Sequence, residues 1–185
     1  MGKPTVISTF SGCGGSSLGY EWAGFRELLA IDFDRNSVET FKLNFPGTPV
    51  WKWDIAGVTG EEILGFCGIK KGELDLLDGS PPCQGFSSAG RRKVGDERNM
   101  LFGSFVRLIN GLRPKTFVME NVPGMACGRM KGMFIDITGA LKGTGYSVKC
   151  KLMNSAYYGT PQSRQRLIWI GVRGDLGAAP SFPER

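Results

Sequence analysis

Apolar residues in this chain fall in short β-branched or leucine-rich clusters, separated by longer stretches with helical spacing. TVISTF at 5–10 is followed by the glycine-rich SGCGGSSLG and then by YEWA, the pattern of a strand, a loop and a helix. LLAID at 28–32 predicts a second strand, and 35–45 a helix that Pro46 stops. A brief third strand is expected over 50–53, a weak helix over 61–66 and a fourth strand over 74–77. Leu101, Phe102, Phe105, Val106 and Ile109 recur at helical spacing within 99–112, ahead of Pro114. TFVM at 116–119 is a fully apolar strand; a helix over 130–141 and strands over 146–153 and 166–172 complete the series. Strands alternating with helices predict an α/β fold, a mostly parallel sheet with helices on both faces. Residues 174–185 have little periodicity and read as an exit segment from a domain spanning 1–173.

Composition narrows the chemistry. The 185 residues suffice for one domain with a buried core. They include 28 glycines and no histidine, so proton transfer must use a carboxylate, thiol, amine, phenol or water. Imidazole metal sites are excluded, and no metal is expected. Cysteines stand at 13, 67, 83, 127 and 150, an odd number with no C-x-x-C pair. Neither a disulfide framework nor a zinc site is indicated, which fits a reducing cytoplasm. No signal-peptide pattern or long apolar stretch suggests a leader or a membrane span. The net charge of +6 is uneven: residues 1–90 carry 7 Lys/Arg against 11 Asp/Glu, and residues 91–185 carry 16 against 6. Either the second half faces a polyanion or the imbalance is that of an ordinary solvated surface.

Ligands in open α/β sheets bind beyond the carboxyl ends of the strands, so the residues just past each strand are informative. Phe10, Gly12 and Gly14 come after the first, Asp32 and Phe33 after the second, Asp54 and Ile55 after the third. A glycine turn before a helix admits a ligand close to the backbone. An acid some 20 residues further on can hold ribose hydroxyls, and Phe33 can stack on a purine. The third glycine of the dinucleotide fingerprint is replaced by Ser17. This favours a nucleoside-containing cofactor that is not a dinucleotide, and counts against an NAD-type oxidoreductase.

The fourth strand runs into GSPPCQGFSSAGRR at 79–92. Pro81 and Pro82 restrict the backbone just before Cys83, and Gly85, Ser87, Ser88 and Gly90 loosen it afterwards. A buried structural cysteine requires neither feature. A nucleophile that is aimed and then covered by a closing loop benefits from both. Arg91, Arg92 and Lys93 in that loop suit phosphates. A thiol of pKa about 8.5 is mostly protonated at neutral pH, so cations at Arg164 and Arg166, or a helix N-terminus, are needed to favour the thiolate. Glu120 ends the apolar fifth strand and can donate a proton or hydrogen bond. A thiol nucleophile with a carboxyl donor suits attack on C6 of a pyrimidine whose N3 is hydrogen-bonded.

FSGCGG (10–15), PPCQGFS (81–87), ENVPG (120–124) and QSRQR (162–166) resemble, in order, the motifs of the cytosine-C5 DNA methyltransferases. The resemblance implies an S-adenosylmethionine-dependent methyltransferase (Rossmann-like) fold whose seven-stranded sheet has its last strand antiparallel. It further implies transfer of a methyl group from S-adenosyl-L-methionine to C5 of a flipped-out cytosine in double-stranded DNA. By position, Cys83 attacks C6, Glu120 engages N3, and Arg164 and Arg166 help to hold the base and the thiolate environment. Phe10, Gly12 and Gly14 border the methionine part of the cofactor, Asp32 the ribose, and Phe33, Asp54 and Ile55 the adenine. Pro82 and Leu101 line the same pocket. Gln84, Ser87, Arg91, Arg92 and Lys93 belong to a mobile DNA-contacting loop, since a base inside a duplex is out of reach until it is extruded. Ser8-Thr9-Phe10 replaces the family's commoner acidic-leucine-phenylalanine opening. Family members continue into a target-recognition domain, which these residues lack. Either these residues are one half of a split enzyme, completed by a second polypeptide, or they are a truncation or the catalytic domain of a longer protein, and alone they are expected to transfer methyl groups weakly or not at all. The alternatives are a tRNA cytosine-C5 methyltransferase, disfavoured by Ser87, and a non-catalytic DNA-binding subunit of a split enzyme.

Overall fold

The computed structural model describes residues 2–82, 97–126 and 131–184. The described residues form a seven-stranded sheet in the order β3-β2-β1-β4-β5-β7-β6. The strands are β1 (Thr5–Thr9), β2 (Arg26–Asp32), β3 (Val50–Lys52), β4 (Leu76–Gly79), β5 (Thr116–Asn121), β6 (Tyr146–Asn154) and β7 (Gln165–Arg173). Strands β1 to β5 pair in parallel, whereas β7 runs antiparallel to both β5 and β6.

The helices are α1 (Gly15–Trp22), α2 (Arg35–Asn44), α3 (Gly60–Cys67), α4 (Glu97–Leu112) and α5 (Lys131–Gly143). Parallel neighbours require crossovers, which are right-handed almost without exception. The march β1-β2-β3 therefore sets α1 and α2 on one face. The return to β4 and β5 sets α3, α4 and α5 on the other. Between β1 and β4 the direction of winding reverses, and ligands of doubly wound sheets bind at that switch point.

Local chemistry fixes the helix ends. Asp34 caps α2, its Oδ1 accepting from the Ser37 amide at 2.8 Å, and the helix stops at Phe45, before Pro46. Thr59 and Glu62 form a reciprocal capping box on α3, and Gly68 closes it at φ 65°. Helix α4 ends at Arg113, in the left-handed region at φ 51°, ahead of Pro114.

The core lies between the sheet and the α3–α5 layer. Phe105, Leu108, Ile109 and Leu112 of α4 meet Leu77 of β4, Phe117 and Met119 of β5, and Trp169 of β7, all fully buried. Each such side chain contributes about 1.5–3 kcal/mol by leaving water. In β5 the alternation is strict: Phe117, Met119 and Asn121 are buried, while Thr116, Val118 and Glu120 on the opposite face are half-buried. Beyond the turn at Gly174–Leu176 the chain returns to β6, where Lys151 Nζ stands 5.7 Å over the Phe182 ring.

Several boundaries differ from the sequence pattern. Helix α1 begins at Gly15, inside the glycine-rich stretch, because Gly14 takes the left-handed N-cap conformation at φ 93°. Strand β4 starts two residues later than expected and carries Asp78 inside it. Strand β5 extends through Glu120 and Asn121, which pair with Ile168 and Leu167 of β7. The antiparallel partner lengthens the strand, and a local apolar run gives no sign of it.

Candidate active site

The carboxyl ends of β1, β2 and β3 surround a cleft with an empty volume of about 290 Å3. Its walls are Phe10, Ile31, Asp32, Phe33, Trp53, Asp54, Ile55, Pro82 and Leu101. Seven of these are the residues expected from the sequence, and Ile31 and Trp53 are additions. Phe10 reaches the cleft from a left-handed backbone at φ 56°, a conformation costly for a bulky residue and typical of positions that a site over-determines. Asp32 is fixed by two backbone amides: Gly12 N donates to Oδ2 at 2.8 Å and Asp34 N to Oδ1 at 2.9 Å. Asp54 caps the 3-10 turn Ile55–Gly57 through Ala56 N at 2.9 Å. From the α4 side, Arg107 Nη2 donates to the carbonyls of Ile55 (2.8 Å) and Val58 (2.9 Å) and holds that wall in place.

Gly12 and Gly14 are not among the cleft's walls. Gly12 acts through its amide on Asp32. Gly14 is required by packing, since a Cβ there would run into the Phe45 ring, and its positive φ disfavours any side chain.

The donor set fits an adenosyl group. Apolar and aromatic walls suit the faces of a purine, and two carboxylates at the rim accept from hydroxyl or amino donors.

A second group of side chains gathers at the tips of β4, β5 and β7. Glu120 Oε1 pairs with Arg166 Nε at 2.5 Å, and both side chains are largely shielded from solvent. The next residue, Asn121, is buried and donates from Nδ2 to the Pro81 carbonyl at 2.9 Å. The end of the Glu120 strand is thus fastened to the proline pair that precedes Cys83. Pro82 also lines the cleft, so the two groups adjoin. Arg164 is exposed in the β6–β7 connection, where its backbone bonds to Asn154 and Ser155. Cys83, Gln84, Ser87, Arg91, Arg92 and Lys93 lie outside the described residues.

Beneath these tips is a buried acid that the sequence pattern does not single out. Asp78 of β4 accepts from Tyr20 Oη of α1 at 2.9 Å. Burial pushes its carboxyl up to about 6, opposed by hydrogen bonds from Tyr20 and Ser16 and reinforced by the nearby charges of Glu27 and Glu120. Burial likewise raises the Tyr20 phenol and the Glu27 carboxyl.

A parallel sheet that winds both ways from β1/β4 and ends with an antiparallel β7 inserted beside β5 is the S-adenosylmethionine-dependent methyltransferase fold. A crystal structure of a prophage-encoded protein from E. coli, assigned as a DNA modification methyltransferase, superposes with a TM-score of 0.82 at 34% identity. That match covers 96% of this chain and 49% of the other. The family model of the C-5 cytosine-specific DNA methylases matches residues 4–184, and the chain belongs to that family. Type II methyltransferase M.XorII of Xanthomonas oryzae pv. oryzae is 40% identical over 186 residues, covering all of this chain and 44% of that protein. Type II methyltransferase M1.HphI of Haemophilus parahaemolyticus is 40% identical over 183 residues, covering 97% of this chain and 48% of its own length. The chain spans about half the length of the curated relatives it matches. Nothing in these likenesses favours the tRNA, binding-subunit or oxidoreductase readings. No helix among the described residues is long and apolar enough to cross a membrane.

Proposed function

We propose that this chain is the catalytic portion of a DNA (cytosine-5)-methyltransferase. It binds S-adenosyl-L-methionine in the cleft and acts on a cytosine extruded from the duplex, through a covalent bond between Cys83 and C6. The observation that carries this reading is the fastening of the Glu120 strand tip to the Pro81-Pro82 run beside the cleft.

The roles derive from the chemistry. Phe10, Phe33, Ile55, Pro82 and Leu101 shelter the adenosyl group, Asp32 accepts from ribose hydroxyls, and Asp54 meets the edge of the base. The bound cofactor supplies an electrophilic methyl group. Glu120, oriented by Arg166, engages N3 and draws electron density from the ring, which opens C6 to the Cys83 thiolate. Addition at C6 makes C5 nucleophilic, so C5 would take the methyl group from a bound sulfonium, leaving a neutral thioether, and become saturated. Loss of the C5 proton then expels the thiolate and restores the double bond. With no histidine in these residues, water or hydroxide takes that proton. Arg164 shapes the surroundings of the base, and Arg91, Arg92 and Lys93, with Gln84 and Ser87, hold the opened DNA.

The relatives extend well beyond the matched region, so base-specific contacts in the grooves are assigned to residues outside these 185, on the same polypeptide or a partner. The setting is a reducing compartment that contains DNA, and restriction-modification is the biological role. The test is a duplex bearing 5-fluorocytosine, incubated with cofactor and the complete polypeptide or its partner. The fluorine blocks proton loss, so a covalent adduct should accumulate, and Cys83→Ser should abolish it. An adduct that survives in Cys83→Ser would remove Cys83 from the mechanism.

A further inference from the structure

We propose that Trp53 is a nucleoside-gripping residue: with Phe33 it forms the aromatic mouth of the cleft and sets affinity for the adenosyl part of the ligand. The proposal rests on the reading of the cleft as the S-adenosylmethionine site.

Trp53 comes directly after β3, and its amide donates to the Asp32 carbonyl at 3.0 Å, continuing the β2–β3 ladder by one step. Trp53 and Phe33 therefore project from adjacent strand ends, and both line the cleft. Both are large and exposed, Phe33 at 73% and Trp53 at 49%. Scattered apolar residues are normal on a surface. Two aromatics converging on one concave site with two carboxylates are the composition of a ligand pocket.

The indole is also braced. Its ring centroid lies 5.6 Å from Trp51, which in turn meets Phe66 of α3 edge-on at 4.9 Å. Nε1 lies near Gly57, where an added Cβ would come within 3.8 Å of it. A side chain held in this way loses little rotamer freedom when a ligand covers it, so more of the stacking appears as affinity. The occupant favoured by this mouth has a planar apolar face and hydrogen-bond donors on its edges for Asp32 and Asp54, which describes adenosine.

Calorimetry with S-adenosylhomocysteine and with 5′-methylthioadenosine, which lacks the amino-acid end, tests the assignment. Trp53→Ala should weaken both ligands by the same factor, about tenfold, equivalent to about 1.4 kcal/mol and within the range for base–aromatic stacking. Trp53→Phe should stay within about threefold of wild type and keep the wild-type melting temperature. Unchanged affinity in Trp53→Ala overturns the proposal and leaves the cleft reading intact, as does a loss as large in Trp53→Phe as in Trp53→Ala. Failure of the wild-type protein to bind either ligand overturns the cleft reading, and this assignment with it.

Discussion

Asp78→Asn should stabilise the protein, and the gain should depend on pH in a way that identifies its cause. The Asp78 carboxyl is raised from 3.8 to about 6, chiefly by burial. Below about pH 4 it is protonated in both folded and unfolded chains and costs nothing. Between pH 4 and 6 the unfolded chain releases the proton while the folded chain keeps it, so stability falls as pH rises. Above pH 6 both forms are ionised and the folded protein carries the whole penalty. At 1.36 kcal/mol per pKa unit, that penalty is about 3 kcal/mol.

Asparagine keeps an oxygen for the Tyr20 hydroxyl and removes the charge. Urea unfolding of the two proteins at pH 5, 6 and 7.5 should give a stability difference that grows by about 1.4 kcal/mol across the series, because roughly half of the penalty is already present at pH 5. Carboxylates that do not interact with Asp78 titrate alike in both proteins and cancel in the difference, whereas Glu27 and Glu120, whose charges act on Asp78, add a smaller part. Tyr20→Phe should behave oppositely, because it takes a donor from the ionised carboxylate: a loss of about 1.5–3 kcal/mol at pH 7.5 and less at pH 5. A stability difference between wild type and Asp78→Asn that is flat with pH would refute the assignment of a buried, ionising Asp78.

Two further outcomes bear on the site. Glu120→Gln should slow adduct formation on the 5-fluorocytosine duplex about 10²–10⁴-fold, the usual contribution of a positioned acid, with S-adenosylhomocysteine affinity unchanged; an equal fall in cofactor affinity would mean that Glu120 serves the cleft instead. Gly14→Ala should destabilise by about 2 kcal/mol or more, because a left-handed backbone penalty is joined by collision with Phe45, whereas Gly12→Ala should incur only the backbone penalty of about 1–2 kcal/mol. Equal urea midpoints for the two alanine variants would refute the packing explanation for Gly14.

The features legible in the sequence and those hidden from it divide along a physical line. Strand ends are legible because β-branched runs and prolines act locally, and so the walls at Phe10, Asp32, Phe33, Asp54 and Ile55 can be placed from order alone. The pairing of Glu120 with Arg166 is not legible. It depends on the antiparallel register of β5 against β7, which joins residues 46 positions apart. Gly14 carries a constraint hidden from the sequence: a glycine-rich loop suggests a ligand, and packing against a phenylalanine 31 residues further on forbids a side chain there as well. Trp53 escapes notice because an aromatic at the end of a short edge strand looks like strand propensity until the neighbouring strand brings Phe33 alongside it. Asp78 is hidden inside LDLLDG, where acid and leucine alternate as on any half-exposed strand; only α1 packing over it makes it buried.

The charge imbalance takes on a direction with these positions in place. Residues 1–90 have a net charge of −4 and supply Asp32 and Asp54 at the cleft and the acids under α1, while residues 91–185 have a net charge of +10. In the proposed function Asp32 and Asp54 of the first half serve a cationic cofactor, whereas Arg91, Arg92 and Lys93 of the second half meet a polyphosphate. The cleft and the Glu120–Arg166 pair adjoin where the winding of the sheet reverses. There Pro81 and Pro82 carry the chain from the cleft toward Cys83, and Asn121 ties that turn to the strand bearing Glu120. A doubly wound sheet has one such crevice, and a methyl donor and a base must approach within bonding distance to react. The topology therefore favours this place for the chemistry, with the binding energy of each ligand kept on its own side.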